Sequence, residues 1–211
     1  MKETGFLFDL DGVLIDSERE YTRIWEKIEQ LYPTGIPDFP SVIKGMTLEK
    51  ILDTYYADPA IRPEVEKELY RLEKEMTYRY TPGTEEFIAE LIRRSIPRAV
   101  VTSSNDLKMA HLYADIPEFK EIFPVIVDST MVTRSKPDPQ GYLLAANLLN
   151  LPIENCVVFE DSVQGVKAGK AAGAYVVGVK GTKSEEELMP YSDIVIDRLS
   201  PDLIKQLEER K

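Results

Sequence analysis

Two aspartates separated by a single residue follow a short apolar run near the start of the chain. The stretch reads "FLFDLDGVLIDSE", so Asp9 and Asp11 come directly after Phe6, Leu7 and Phe8. A buried carboxylate without a partner costs several kcal/mol. A purely structural role therefore explains this pair poorly, and we expect the fold to supply something that makes the charges tolerable.

Three later apolar runs also lead into polar groups that can do chemistry. "VVTSSND" ends in hydroxyls, "TRSKPDP" carries a cation, and "VVFEDSVQG" ends in two adjacent acids. In open parallel sheets, ligands bind at the carboxyl ends of the strands. We therefore expect one edge of a sheet to collect the following groups: Thr102, Ser103, Ser104, Lys136, Glu160 and Asp161.

These residue types fit the transfer of a phosphoryl group. Carboxylates at two strand ends provide the hard oxygen ligands that Mg²⁺ prefers, with a substrate phosphate completing the site. Hydroxyls and backbone N–H groups at a helix start bind phosphate, and Lys136 balances the remaining negative charge. Asp9 can then attack phosphorus and form an aspartyl-phosphate. Asp11 can protonate the leaving oxygen and later deprotonate water.

The elements that position these groups alternate between strands and helices, which predicts an α/β fold with a Rossmann-like parallel sheet. The strands read as continuous apolar runs, as expected for strands covered on both faces. They are predicted at Gly5–Phe8, Arg98–Thr102, Pro124–Val127, Cys156–Phe159, Tyr175–Val179 and Ile194–Ile196. Helices are predicted at Gln140–Leu149 and Val163–Ala172.

Residues 16–81 break this rhythm and predict an inserted all-helical cap domain. Ser17-Glu18-Arg19-Glu20 resembles a capping box, and the first helix then runs towards Leu31. A turn-rich linker, "PTGIPDFPSVIKG", follows, and further helices are predicted at Thr47–Tyr56 and Pro63–Tyr80. The catalytic core is thus assigned to residues 1–15 and 82–211, and we expect the cap to open for substrate and close against water.

Composition limits the classes of partner. A net charge of −11 argues against nucleic acid and anionic membranes, and no apolar run is long enough to span a bilayer. The only cysteine, Cys156, fits a reducing compartment, and the first residues lack a signal-peptide pattern. We expect a cytoplasmic protein that acts on a small phosphorylated metabolite; its oligomeric state is left open.

Four motifs, in order, resemble those of the haloacid dehalogenase superfamily: "FDLDGVLIDSE", "VVTSS", "SKPDP" and "VFEDSVQGVKAG". The similarity covers essentially the whole chain and is strongest to sugar-phosphate phosphatases, phosphoglycolate phosphatase-like proteins and β-phosphoglucomutases. It implies that Asp9 is the nucleophile and Asp11 the acid/base. It implies phosphoryl binding by Thr102, Ser103 and Ser104, pairing of Lys136 with Asp9, and Mg²⁺ held by Asp9, Asp161, the Asp11 carbonyl and Glu160, directly or through water.

The same resemblance bears on the choice between hydrolysis and isomerisation. "VIKGMTLEKIL" is similar to the substrate-facing cap loop of the mutases, which suggests substrate contacts for Lys44, Gly45 and Thr47. The histidine and arginine that those mutases use are absent, because the chain has Glu20-Tyr21 and Leu48 there. We therefore favour a phosphatase. A sugar phosphomutase, a pyrophosphatase and a non-catalytic phospho-aspartate signalling protein remain alternatives.

Overall fold

A computed structural model describes residues 4–43, 46 and 48–209, and the chain divides into two units. The segment Ser17–Thr77 is one unit, here called the helical insertion. The other, here called the core unit, joins the chain before Ser17 to the chain from Tyr78 onwards. Within the part of the chain described, no helix is both long and apolar enough to cross a membrane.

Six strands form one parallel sheet in the core unit, in the spatial order β3-β2-β1-β4-β5-β6. Their bounds are β1 Gly5–Phe8, β2 Arg98–Val101, β3 Val125–Val127, β4 Cys156–Glu160, β5 Tyr175–Val179 and β6 Ile194–Ile196. The predicted α/β class and all six predicted strands are confirmed, with ends that differ by no more than one residue. The order reverses between β1 and β4, which opens a crevice at their carboxyl ends.

Alternate residues of the central strands pack on opposite faces of this sheet, because side chains in a strand point alternately to either side. On one face, Phe6, Phe8, Phe87 and Phe159 form an aromatic cluster, in which the rings of Phe8 and Phe159 stack at 4.7 Å. On the other face, a second apolar cluster includes Leu7, Ala99, Tyr142, Val158 and Val166. Both faces of β1 are therefore buried, as its continuous apolar sequence predicts.

Four helices make up the described part of the helical insertion: α1 Glu18–Leu31, α2 Phe39–Val42, α3 Leu48–Tyr55 and α4 Arg62–Glu73. Its core is aromatic. The Trp25 ring lies edge-on to Phe39 at 6.0 Å and stacks on Tyr56 at 6.4 Å. Because Phe39 belongs to α2, the stretch predicted as a plain linker contains a short helix that helps to bury Trp25.

Seven helices of the core unit flank the sheet in its described part. They are α5 Thr84–Arg93, α6 Asp106–Asp115, α7 Phe119–Ile122, α8 Gln140–Leu148, α9 Val163–Ala172, α10 Glu185–Leu188 and α11 Pro201–Glu208. The predicted bounds of α9 are confirmed, and α8 ends one residue earlier than predicted.

Two local predictions for the insertion are wrong. Ser17 forms no side-chain cap, because it already has helical backbone angles, and its carbonyl accepts the N–H of Tyr21. The helix predicted to reach Tyr80 ends at Glu73. The chain turns at Lys74 and Glu75, and Tyr80 then forms an antiparallel bridge with Ile15. A β-bridge requires extended backbone, and this tertiary pairing overrides the local preference for helix.

Candidate active site

The carboxyl ends of β1 and β4 bring three acids together. Phe8 lies opposite Phe159 in the sheet, and the N–H of Asp9 donates to the Phe159 carbonyl at 2.9 Å. Asp9, Glu160 and Asp161 are all buried, and one carboxylate oxygen from each lies within 4.8 Å of the others. The strand register thus produces a compact set of hard oxygen ligands that can hold a divalent metal ion.

Burial and, after it, charge repulsion raise the pKa values of two acids in this cluster. Burial raises the pKa of Asp9 to about 7, and the charges of Glu160 and Asp11 raise it too, against the opposing effect of Lys136. Burial, followed by the charges of Asp9 and Glu160, also raises the pKa of Asp161 well above its ordinary value. A bound cation would favour the ionised forms. The donor set and its electrostatics therefore fit a metal such as Mg²⁺.

Lys136 supplies a positive charge from the protein itself. Its Nζ forms an ion pair with Asp9, lies 2.6 Å from Glu160 Oε1, and donates to the carbonyl of Val101 at 3.0 Å. Burial lowers the pKa of Lys136, but the charges of Asp9 and Glu160 outweigh that effect and raise it overall. The structure therefore brings the lysine between the two acids and keeps it charged.

Glu160 is held by donors on both of its oxygens. Tyr142 donates to Oε1 at 2.7 Å, and the Ser162 hydroxyl donates to Oε2 at 3.0 Å. A Cβ atom at Gly165 would overlap this carboxylate, so the glycine leaves the space that Glu160 occupies. The sequence alone did not predict these three supporting residues. A signal was available for Ser162 and Gly165, because "SVQG" begins a capped helix in which Ser162 accepts the N–H of Gly165.

Asp161 and Gly12 also lie in close contact. Gly12 has a φ of +76°, a conformation that favours glycine, and a Cβ there would overlap the Asp161 carboxylate. A hydrogen bond from Thr182 favours the ionised form of Asp161. Gly12, in the tight turn after Asp11, therefore leaves space for the carboxylate of Asp161, which follows β4.

Hydroxyl groups line the end of β2 beside this cluster. Thr102 is buried, and its Oγ1 accepts the backbone N–H of Ser104 at 3.0 Å. Ser103 is exposed and, with Thr102 and Lys136, lines a cavity of about 220 Å³ within the core unit. Asn105 caps α6, and its side chain accepts the backbone N–H of Lys108. The structure thus places the predicted phosphate-binding groups next to the acids.

Asp11 lies in a different environment from Asp9. Ser104 Oγ donates to Asp11 Oδ2 at 3.1 Å, and Lys108 Nζ contacts both oxygens, at 2.7 Å from Oδ1 and 2.8 Å from Oδ2. Lys108 was not predicted from the sequence, since a lysine at the third position of a helix carries no local sign of a partner almost a hundred positions away. The two aspartates of the first motif therefore pair with different lysines.

The remaining predicted contacts, Lys44, Gly45 and Thr47, lie outside the described residues. The helical insertion itself encloses a cavity of about 300 Å³. Tyr21 lines this cavity and donates to Glu73, another lining residue, at 2.9 Å. The lining also includes Glu18, Trp25, Leu48 and Leu69, so apolar surface and carboxylates meet in one cavity.

The chain is similar to known proteins over most of its length. A family model described as haloacid dehalogenase-like hydrolase matches residues 4–173, which include all four motifs. The chain belongs to the haloacid dehalogenase-like hydrolase family. The membership inferred from the motifs is thereby confirmed.

Relatives within this haloacid dehalogenase-like family include both phosphatases and mutases. Hexitol phosphatase A of Escherichia coli is 34% identical over 85% of this chain and 84% of its own length. The β-phosphoglucomutase of Bacillus subtilis is 28% identical over 96% of this chain and 93% of its own. The crystal structure of CbbY from Rhodobacter sphaeroides in complex with phosphate has a TM-score of 0.74 and 26% identity, covering 94% of this chain and 95% of that one.

Proposed function

We propose that this chain is a Mg²⁺-dependent phosphatase that hydrolyses a small phosphorylated metabolite, with sugar phosphates as the leading class. The observation that carries the proposal is the separation of the two aspartates of the first motif. Asp9 lies with Glu160, Asp161 and Lys136, whereas Asp11 points to Ser104 and Lys108. Two carboxylates in different environments suit a nucleophile and a separate acid/base.

The first half of the reaction forms a covalent bond to Asp9. A carboxylate oxygen of Asp9 attacks phosphorus, and the bond between phosphorus and the ester oxygen breaks. Asp11, in its protonated form, gives its proton to that leaving oxygen, so the sugar departs as a neutral alcohol. Thr102 and Ser103 hold the phosphoryl oxygens, and Lys136 offsets their charge.

The second half regenerates the enzyme. Asp11, now ionised, takes a proton from a water molecule that attacks phosphorus. The bond between Asp9 and phosphorus breaks, and inorganic phosphate leaves. Mg²⁺, when bound, would stabilise the charge that develops on the transferring phosphoryl group.

The metal would be held by Asp9, Asp161 and the backbone carbonyl of Asp11. Glu160 is better suited to support it indirectly, because both of its oxygens already accept hydrogen bonds from Tyr142 and Ser162. Residues that surround a metal site without touching the metal orient the ligands that do.

Hydrolysis is favoured over isomerisation by the insertion's cavity. A mutase must hold a bisphosphorylated intermediate, which needs cationic donors. Tyr21 and Leu48, at or beside the positions where the resemblance predicts such donors, line a cavity that also contains Glu18 and Glu73. An apolar side chain among carboxylates disfavours a second phosphate.

The test is phosphate release from a panel of sugar phosphates, sugar alcohol phosphates, phosphoglycolate, nucleotides and pyrophosphate. We expect release with Mg²⁺, loss with EDTA, and loss in Asp9→Asn. Conversion of one sugar phosphate to its isomer, with little phosphate released, would instead establish the mutase. Stable phosphorylation of Asp9 without turnover would point to signalling, and preference for pyrophosphate to a pyrophosphatase.

A further inference from the structure

The carboxylate of Asp11 is held by the ammonium group of a residue outside the four motifs. Lys108 Nζ lies within 2.8 Å of both Asp11 oxygens, and Ser104 adds a third donor at 3.1 Å. The Lys108 side chain is only 17% exposed, compared with 33% for Asp11. A hydrogen-bonded ion pair of this kind is stronger and more directional than one between solvated surface groups.

The helix that carries Lys108 is fixed at its start. Asn105 caps α6, and its side chain accepts the backbone N–H of Lys108 at 2.9 Å. A lysine in the first turn of a helix faces the positive end of the helix dipole, which disfavours it. Contact with Asp11 offsets this penalty, whereas helix formation alone gives no reason for a lysine at this position.

We propose that Lys108 is a positioning residue for Asp11, an inference that rests on the proposed function. The two lysines then have separate roles. Lys136 pairs with the proposed nucleophile, Asp9, and Lys108 orients the proposed acid/base, Asp11. With contacts on both carboxylate oxygens, Lys108 restricts rotation of the Asp11 side chain about its terminal bond. A general acid works only when it lies within hydrogen-bond reach of the atom it protonates.

The leaving group offers a readout that a purely structural role would not change. A sugar alkoxide needs a proton from Asp11 to depart, whereas nitrophenolate, the leaving group of p-nitrophenyl phosphate, is stable without one. We expect Lys108→Met to lower kcat/KM for the best sugar phosphate by about 10- to 100-fold. For p-nitrophenyl phosphate the loss should stay within about threefold, and Lys108→Arg should recover most of the sugar phosphate activity.

Controls separate orientation from general damage. Lys170→Met removes another lysine that contacts both oxygens of an aspartate, Asp193, on the surface of the core unit. This control variant should leave kcat/KM for both substrates unchanged. Thermal unfolding of each variant checks that the fold is intact, and an equal loss on both substrates would assign Lys108 a structural role and overturn the proposal.

A double variant tests whether Lys108 acts through Asp11. In an Asp11→Asn background, Lys108→Met should cause no further loss, because residues that act as one unit are not additive. A further loss there, or a raised KM alone, would mean that Lys108 binds substrate directly, and the inference would fail. If the unmodified protein hydrolyses no phosphate ester, the proposed function fails instead.

Discussion

The hydroxyl of Tyr142 lies 2.7 Å from Oε1 of Glu160, and both side chains are almost completely buried. Burial raises the pKa of Tyr142 well above its ordinary value, and the charge of Glu160 raises it further. The phenol therefore stays protonated and remains a donor. A helix on one face of the sheet, α8, thus helps to fix the acid at the end of β4.

Removal of this hydroxyl tests its contribution. We expect Tyr142→Phe to destabilise the fold by about 1–3 kcal/mol, because a buried carboxylate loses one of its donors. Denaturant unfolding measures this change. Tyr70→Phe, which alters a half-exposed tyrosine of the insertion, should change stability little. Equal stability of the two variants would show that Glu160 does not depend on Tyr142.

The acid cluster predicts how stability responds to pH and metal. The pKa of Asp9 is raised from 3.8 to about 7. Between these two pKa values, the folded state therefore keeps a proton on Asp9 that the unfolded state has released. This contribution to stability is present below about pH 4 and is lost as pH rises through about 7. Mg²⁺ binds the ionised cluster, so its stabilising effect should be larger at pH 8 than at pH 5.

Melting temperatures measured with Mg²⁺ and with EDTA at the two pH values check this prediction. Asp161→Asn is the matched variant, because it removes one acid of the cluster. It should weaken the response to Mg²⁺ and raise the melting temperature of the metal-free protein at pH 8. A Mg²⁺ effect of equal size at both pH values would contradict the assignment of the metal to this cluster.

A neutral side chain in place of Lys136 would leave two buried acids, Asp9 and Glu160, without their cation. We expect Lys136→Met to lower kcat by about 100-fold or more, because the phosphoryl group loses a preorganised positive charge. The variant should also unfold more easily, and by a larger margin at pH 8 than at pH 5, since Asp9 and Glu160 lose their shared partner. Steady-state kinetics and denaturant unfolding measure the two effects. Lys136→Arg keeps the charge and should lose less stability.

The space occupied by Glu160 depends on a glycine. Gly165→Ala would place a methyl group on the Glu160 carboxylate, and we expect a cost of about 1–3 kcal/mol together with reduced activity. Gly181→Ala provides the control, because its added methyl group would meet no atom closer than 3.9 Å. If the two variants proved equally stable, the carboxylate would have room to move aside.

Features that depend on local pattern and strand order were predictable from the sequence. Apolar runs gave the strands, and the residues after them gave the polar groups at the sheet edge, because parallel strands share that edge. Tertiary contacts were not predictable. Lys108 and Tyr142 lie in helices whose own sequences give no sign of an acid partner, and the helix predicted up to Tyr80 ends early because Ile15 pairs with that residue. The roles assigned to the site residues stay predictions.

The pairing around Ile15 and Tyr80 has a consequence for how such chains can diversify. Asp16 donates to the Arg79 carbonyl and Thr81 to the Leu14 carbonyl, both at 2.9 Å, so the two ends of the intervening segment are hydrogen-bonded to each other. A segment whose ends already meet can be lengthened, shortened or exchanged without a new cost for bringing them together. The length of this segment can therefore change while the sheet and its strand ends stay unchanged.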